Sequence, residues 1–121
     1  MTDKLPTFEA FWPYYLGEHR MPACRGVHYV GSLAAPLTLV AALTTGNLWL
    51  LLLIPICGYG PAWVGHFIIE KNRPATFTYP LWSLLADYKM VFYALTFRIR
   101  PELTRLYGSH APAPDAPLLT A

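Results

Sequence analysis

The dominant feature of the chain's polarity pattern is one long uncharged run. From Gly26 to Ile69, 44 consecutive residues contain no Asp, Glu, Lys or Arg. A helix that crosses a bilayer needs about 20 apolar residues. The run therefore holds two crossings and a tight turn. The turn falls at Thr45-Gly46-Asn47, where Gly can end one helix and Asn can cap the next. The pattern predicts spans over about 22–45 and 47–70. Pro36 lies in the first, and Pro55 and the Gly58-Tyr59-Gly60-Pro61 cluster lie in the second, so both are expected to kink. Pro61 also suits the start of a fresh helix running to Glu70.

The flanks are amphipathic. Residues 7–19 carry Phe8, Phe11, Trp12, Tyr14 and Tyr15, which suits a helix lying in a membrane interface, with Pro13 starting or bending it. Residues 71–79 read as a loop. Residues 80–98 read as a third helix with Pro80 in its first turn. Asp87 and Lys89 break its apolar run, so it is expected to be interfacial or covered by protein. The Pro/Ala-rich residues 108–121 read as a disordered tail. The fold expected is thus all-α and membrane-integral: a hairpin of two kinked spans, an N-terminal interfacial helix and a third, C-terminal helix. Residues 1–107 form one domain.

Composition sharpens this picture. Hydrophobic residues make up 55 % of the chain and charged residues 13 %, against about 25 % charged in ordinary soluble domains. So few charges cannot coat a soluble domain around such a hairpin. Arg20 and Arg25 flank the start of the first span, Lys71 and Arg73 flank the end of the second, and the turn is uncharged. The positive-inside rule then places both ends of the hairpin in the cytoplasm. Residues 1–20 lack the apolar stretch of a signal peptide. A net charge of +2 without a basic run argues against nucleic acid as a partner. Cys24 and Cys57 form no CxxC and no disulfide framework, and read as buried thiols.

The candidate chemistry lies in histidines. His28 stands 17 residues before Thr45 and His66 stands 19 after Asn47. At about 1.5 Å per residue, an antiparallel pair brings them to nearly the same depth. His19 precedes the first span by a few residues and can fold over the same mouth. Glu70 follows His66 by four, on the same helix face. Three imidazoles and a carboxylate suit Fe(II) or Zn(II) and do not suit calcium. Each histidine alone has a plain structural alternative, such as a helix cap or a hydrogen bond across the hairpin. Spacing does not choose between the metals.

At these residues the chain resembles the 2-hydroxy fatty acid dioxygenases. The family pattern sets a Tyr four residues before a first His, then a Pro and a second His, as at Tyr15, His19, Pro22 and His28. Downstream comes Gly-His, then Glu-Lys-x-Arg-Pro-Ala, as at Gly65-His66 and Glu70-Lys71-Asn72-Arg73-Pro74-Ala75. A Ser-Leu pair follows at Ser83-Leu84. The resemblance covers roughly residues 8–98. Fungal members have a longer segment between the motifs, whereas 31–59 is compact here.

The resemblance implies Fe(II)-dependent α-oxidation, in which a 2-hydroxy fatty acid and O₂ give the acid one carbon shorter, CO₂ and water. That conversion releases four electrons and O₂ accepts four, so no nicotinamide, flavin or 2-oxoglutarate is needed. The implied roles make His19, His28 and His66 the metal ligands. Glu70 becomes a base or an orienter of a ligand. Arg73 and Arg25 become candidate anchors for the substrate carboxylate, or simple interface anchors. Tyr15 becomes a hydrogen-bond donor to the reacting oxygen, or a member of an aromatic belt. The setting implied is a bacterial inner membrane or a fungal endoplasmic reticulum, with a homodimer as one way to enclose a lipid. A zinc-dependent membrane hydrolase and a non-catalytic lipid-binding module are the rival readings.

Overall fold

A computed structural model describes residues 5–119. Among them there is no strand, and helices carry most of the chain. The elements are α1 (Phe8–Gly17), α2 (Pro22–Thr45), a rod from Leu48 to Glu70, α4 (Pro80–Leu95) and α5 (Ile99–Tyr107). The rod has three parts: a 3-10 turn (Leu48–Leu52), α3 (Leu53–Trp63) and a π-helix (Val64–Glu70).

Two helices are long and apolar enough to cross a membrane: α2 and the rod. They form the hairpin. Gly46 ends α2 in the left-handed region at φ 72°, where Gly carries no Cβ penalty. The Asn47 side chain then accepts the Trp49 N–H at 3.3 Å. Gly31 lets the two helices approach, because a Cβ there would stand 2.8 Å from the Gly58 carbonyl oxygen. Small residues at such a crossing are the usual device for close helix packing in lipid. Only 17 % and 6 % of the most apolar stretch of each helix is buried, so this hairpin is not the core of the described fold. Its outer face is a continuous apolar surface that includes Leu37, Leu43, Leu52 and Ile56.

The core lies to one side, where α1, α4 and α5 meet. Thr7 caps α1 by accepting the Ala10 N–H. Phe11, Trp12, Tyr15 and Leu16 are buried, so one face of α1 is packed into protein. The helix expected over 80–98 stops at Leu95. Phe97 takes a positive φ of 61°, the Arg98 N–H reaches back to the Tyr93 carbonyl, and α5 begins. The short helix α5 was not expected, although its signal is regular. Ile99, Leu103, Leu106 and Tyr107 recur at helical spacing and are all buried.

The tail expected to be disordered folds back on the body over residues 108–119. Arg20 Nη1 donates to the carbonyls of Ala113 and Ala116, and Arg25 Nη2 donates to that of His110. The Leu119 N–H reaches the Leu106 carbonyl at 2.7 Å. Guanidinium-to-carbonyl anchors from half-buried Arg20 and buried Arg25 replace the hydrophobic drive that this composition lacks.

Candidate metal centre

His19, His28 and His66 meet at the open end of the hairpin, away from the Gly46 turn and beside the end of α1. They are 1 %, 4 % and 3 % exposed, which takes them out of solvent contact. The loop after α1 carries His19, the second turn of α2 carries His28, and the π-helix carries His66. π-helical turns are rare overall and are frequent at functional sites. One ligand nitrogen from each histidine can be chosen so that all three lie within 4.8 Å of one another. His19 Nε2 and His28 Nε2 stand 3.1 Å apart.

The partners of the opposite ring nitrogens fix which atoms face the centre. His19 Nδ1 is 2.6 Å from the Tyr15 carbonyl oxygen, and His28 Nδ1 is 2.8 Å from the Cys24 carbonyl oxygen. A carbonyl only accepts, so each Nδ1 carries the proton and donates it. His66 Nδ1 donates likewise to Asn72 Oδ1 at 2.7 Å. The Asn72 amide is oriented in turn, because its Nδ2 donates to the Glu18 carbonyl at 3.1 Å. In each neutral imidazole the remaining nitrogen, Nε2, therefore carries the lone pair. His19 and His28 set these lone pairs face to face, and lone pairs repel unless a proton or a cation lies between them. The space they line together is about 10 Å³, roughly one water or ion. This donor set fits a divalent transition metal held by three imidazoles.

Burial, with the neighbouring His28 and His66 adding to it, pushes the His19 pKa well below its ordinary range. The free ring is thus held neutral, as a metal ligand must be. Tyr15 stacks on His19 with ring centroids 4.1 Å apart and donates its hydroxyl to Asp87 Oδ1. Burial, and the Asp87 charge beside it, raises the Tyr15 pKa well above 10, which keeps the hydroxyl a donor. Burial lifts the Asp87 carboxyl to about 6, although the Tyr15 hydrogen bond opposes the rise. The Ser83 hydroxyl is buried in the same pocket wall with no hydrogen-bond partner among the described residues.

The other sequence-derived candidates stand elsewhere. Glu70 makes no hydrogen bond to the three histidines among the described residues. Its carboxylate accepts the Met21 N–H at 2.5 Å, at the start of α2. That end of α2 has no side-chain cap of its own, and a carboxylate suits the positive end of the helix. Arg25 is buried, and its guanidinium is committed to the carbonyls of His19, Arg20 and His110, which leaves it poorly placed to take a substrate carboxylate. Arg73 is exposed and lies over the Phe77 ring at 5.2 Å. Tyr15 is buried rather than set in an aromatic belt. Cys24 is buried with Sγ 3.8 Å from the Nδ1 side of His28, away from the centre.

Sequence reasoning missed Asn72 and Asp87. Asp87 had a signal, since a carboxylate inside an apolar helical run is a functional candidate by its cost alone. Asn72 had none beyond its place in the loop after His66. It comes back to His66 because Lys71 takes the left-handed conformation at φ 59° and the Asn72 N–H closes on the His66 carbonyl at 2.8 Å.

A larger cavity of about 250 Å³ lies beside the centre, between α2, α3 and α4, with Gly31, Ala35, Ile54, Gly58, Leu84 and Tyr88 among its lining. Tyr59, Thr76 and Asp87 line both spaces and so form their boundary.

One family model matches the chain, over residues 5–99, and its description is 2-hydroxy-palmitic acid dioxygenase Mpo1-like. Among curated proteins and among solved structures, nothing matches.

Proposed function

We propose, for a chain that belongs to the 2-hydroxy-palmitic acid dioxygenase Mpo1-like family, that it is an Fe(II)-dependent membrane enzyme. It converts a 2-hydroxy fatty acid and O₂ into the fatty acid one carbon shorter, CO₂ and water. The observation that carries this reading is the forced convergence of three imidazole lone pairs. Tyr15, Cys24 and Asn72 take the three Nδ1 protons, so His19, His28 and His66 have their Nε2 atoms left for one ion.

Bound iron would supply the one-electron reactivity that lets ground-state O₂ attack a carbon substrate. The chain's own residues supply the rest. The three histidines would hold the ion, and Ser83, Thr76 and Asp87 line the rest of the same pocket, where the substrate would lie. Tyr15 locks the His19 ring by stacking on it and by accepting its Nδ1 proton. Burial excludes bulk water, which protects a reactive centre from side reactions. Glu70 holds the start of α2 to the end of the rod, and so sets the distance between His28 and His66. Arg73, exposed at the membrane-surface end, is suited to attracting a carboxylate before it enters.

The hairpin crosses the membrane with both ends on the cytoplasmic side, on the charge asymmetry of Arg20, Arg25, Lys71 and Arg73. A substrate dissolved in lipid then reaches the centre without leaving the bilayer.

The test is anaerobic purification in detergent, metal quantification, and then supply of Fe(II), 2-hydroxypalmitate and O₂ with mass-spectrometric detection of the C15 acid. About one iron per chain and an O₂-dependent C15 product, both lost in His19→Ala, His28→Ala and His66→Ala, is the expected result. Tightly held zinc with O₂-independent turnover would indicate a hydrolase instead. Neither metal nor product would leave a lipid-binding module.

A further inference from the structure

The boundary between the histidine pocket and the larger cavity has one charged side chain, and the mechanism above leaves it unassigned. Asp87 lines both spaces. Its Oδ1 is taken by the Tyr15 hydroxyl, and Oδ2 has no hydrogen-bond partner among the described residues. Asp87 is only partly exposed, and an oxygen there without a protein donor is a ready acceptor for a ligand hydroxyl. Tyr15 cannot serve both oxygens with its single hydrogen. The two spaces that Asp87 lines are where a substrate would lie.

The larger cavity fits the other end of such a substrate. Much of its lining is apolar, from Ala35, Ile54, Gly58 and Leu84, and it lies between α2, α3 and α4. At about 250 Å³ it falls short of the roughly 300–1,000 Å³ that encloses a whole drug-sized ligand. It therefore suits the first few methylenes of an alkyl chain whose remainder lies in the bilayer.

From this placement we infer that Asp87 is the residue that recognises the 2-hydroxyl group, accepting its hydrogen bond at Oδ2 while the cavity between α2, α3 and α4 takes the start of the acyl chain. Tyr15 is its positioning residue, holding the carboxylate at the boundary. A fatty acid without the hydroxyl leaves Oδ2 unpaired, and a site built to pair a substrate hydroxyl rejects the analogue that lacks it. Asp87 thus sets selectivity for hydroxylated over plain fatty acids. The inference rests on the substrate class proposed above.

The experiment measures binding of 2-hydroxypalmitate and of palmitate, in competition, to the iron-loaded protein without O₂. Bound iron per chain is quantified alongside. Tyr15→Phe/Asp87→Leu removes both hydrogen-bonding partners together, which costs a fold less than stranding one. Its preference for the hydroxy acid should fall at least tenfold below wild type, with iron content unchanged. Asp87→Ala should show the same fall, and it decides the matter if the double variant does not fold. Leu84→Trp fills the cavity from α4 and should weaken both ligands at least fivefold while leaving the preference intact. Wild-type preference retained in both Asp87 variants overturns the role of Asp87. Unchanged binding in Leu84→Trp overturns the acyl cavity. A wild type that binds both acids equally overturns the substrate class itself.

Discussion

Asn72 Oδ1 accepts the His66 Nδ1 proton at 2.7 Å, and the Asn72 amide donates in turn to the Glu18 carbonyl. One side chain thereby orients a candidate ligand of the rod and ties it to the end of α1. Removing such an outer partner of a ligating histidine typically costs about 10–100-fold in metal affinity. Asn72→Ala should show a loss of that size in Fe(II) titration. Asn72→Asp, which keeps an acceptor at the same place, should retain most of the affinity.

Gly65 precedes His66 where α2 passes close by. A Cβ there would meet Cys24 Sγ at 2.9 Å, Val27 Cγ2 at 3.0 Å and His28 Cε1 at 3.2 Å. Gly65→Ala should therefore destabilise the protein by about 1–3 kcal/mol, as overpacking does, and push His28 off the centre. Thermal unfolding in detergent and bound metal per chain should fall together. Gly65→Ala/Cys24→Ala, which removes the nearest atom, should recover part of both.

Acid should loosen the metal-free protein, with the sign set by His19. Its folded pKa lies well below the ordinary value of about 6.5. Between the two values the unfolded chain binds a proton that the folded chain does not. Stability is therefore full above about pH 6.5 and declines as pH falls below it. An unfolding-midpoint series from pH 7.5 to 5 should show the fall in wild type and a shallower one in His19→Gln.

Asp87 titrates with the opposite sign. Its pKa rises from an ordinary 3.8 to about 6 on folding, so the folded chain binds the extra proton between those values. Its burial then costs on the order of 3 kcal/mol above pH 6 and nothing below about pH 4. Asp87→Asn should unfold at a higher temperature than wild type at pH 7, and the gap should close as pH approaches 4. A gap that does not vary with pH would remove the charge as its cause. Such a cost, carried at the boundary of the two pockets, is what a recognition residue is expected to impose on stability.

Part of this architecture is readable from the chain alone. The uncharged run from Gly26 to Ile69 is long enough for two apolar helices and contains two. The rise of a helix then puts His28 and His66 at nearly one depth from their residue counts to the turn, although the 3-10 and π parts of the rod depart from the α-helical rise. Gly46 and Asn47 mark that turn through local backbone preference. These features depend on neighbours in sequence, or on a count along one regular element.

Tertiary structure alone decided what faces the centre. Tyr15 and Asp87 are 72 residues apart, and only the packing of α1 on α4 joins them. Glu70 shares a helix with His66, yet it turns to Met21 because the uncapped start of α2 lies beside it. Arg20 and Arg25 together are drawn to the tail carbonyls, and a composition that looks disordered is placed by them. Asn72 closes on His66 through one left-handed residue, Lys71. Periodicity tells which face of a helix is apolar, but it carries no record of which face it will meet. Partner choice is a property of the assembled fold, where each buried polar group must find a donor or an acceptor among residues distant in sequence.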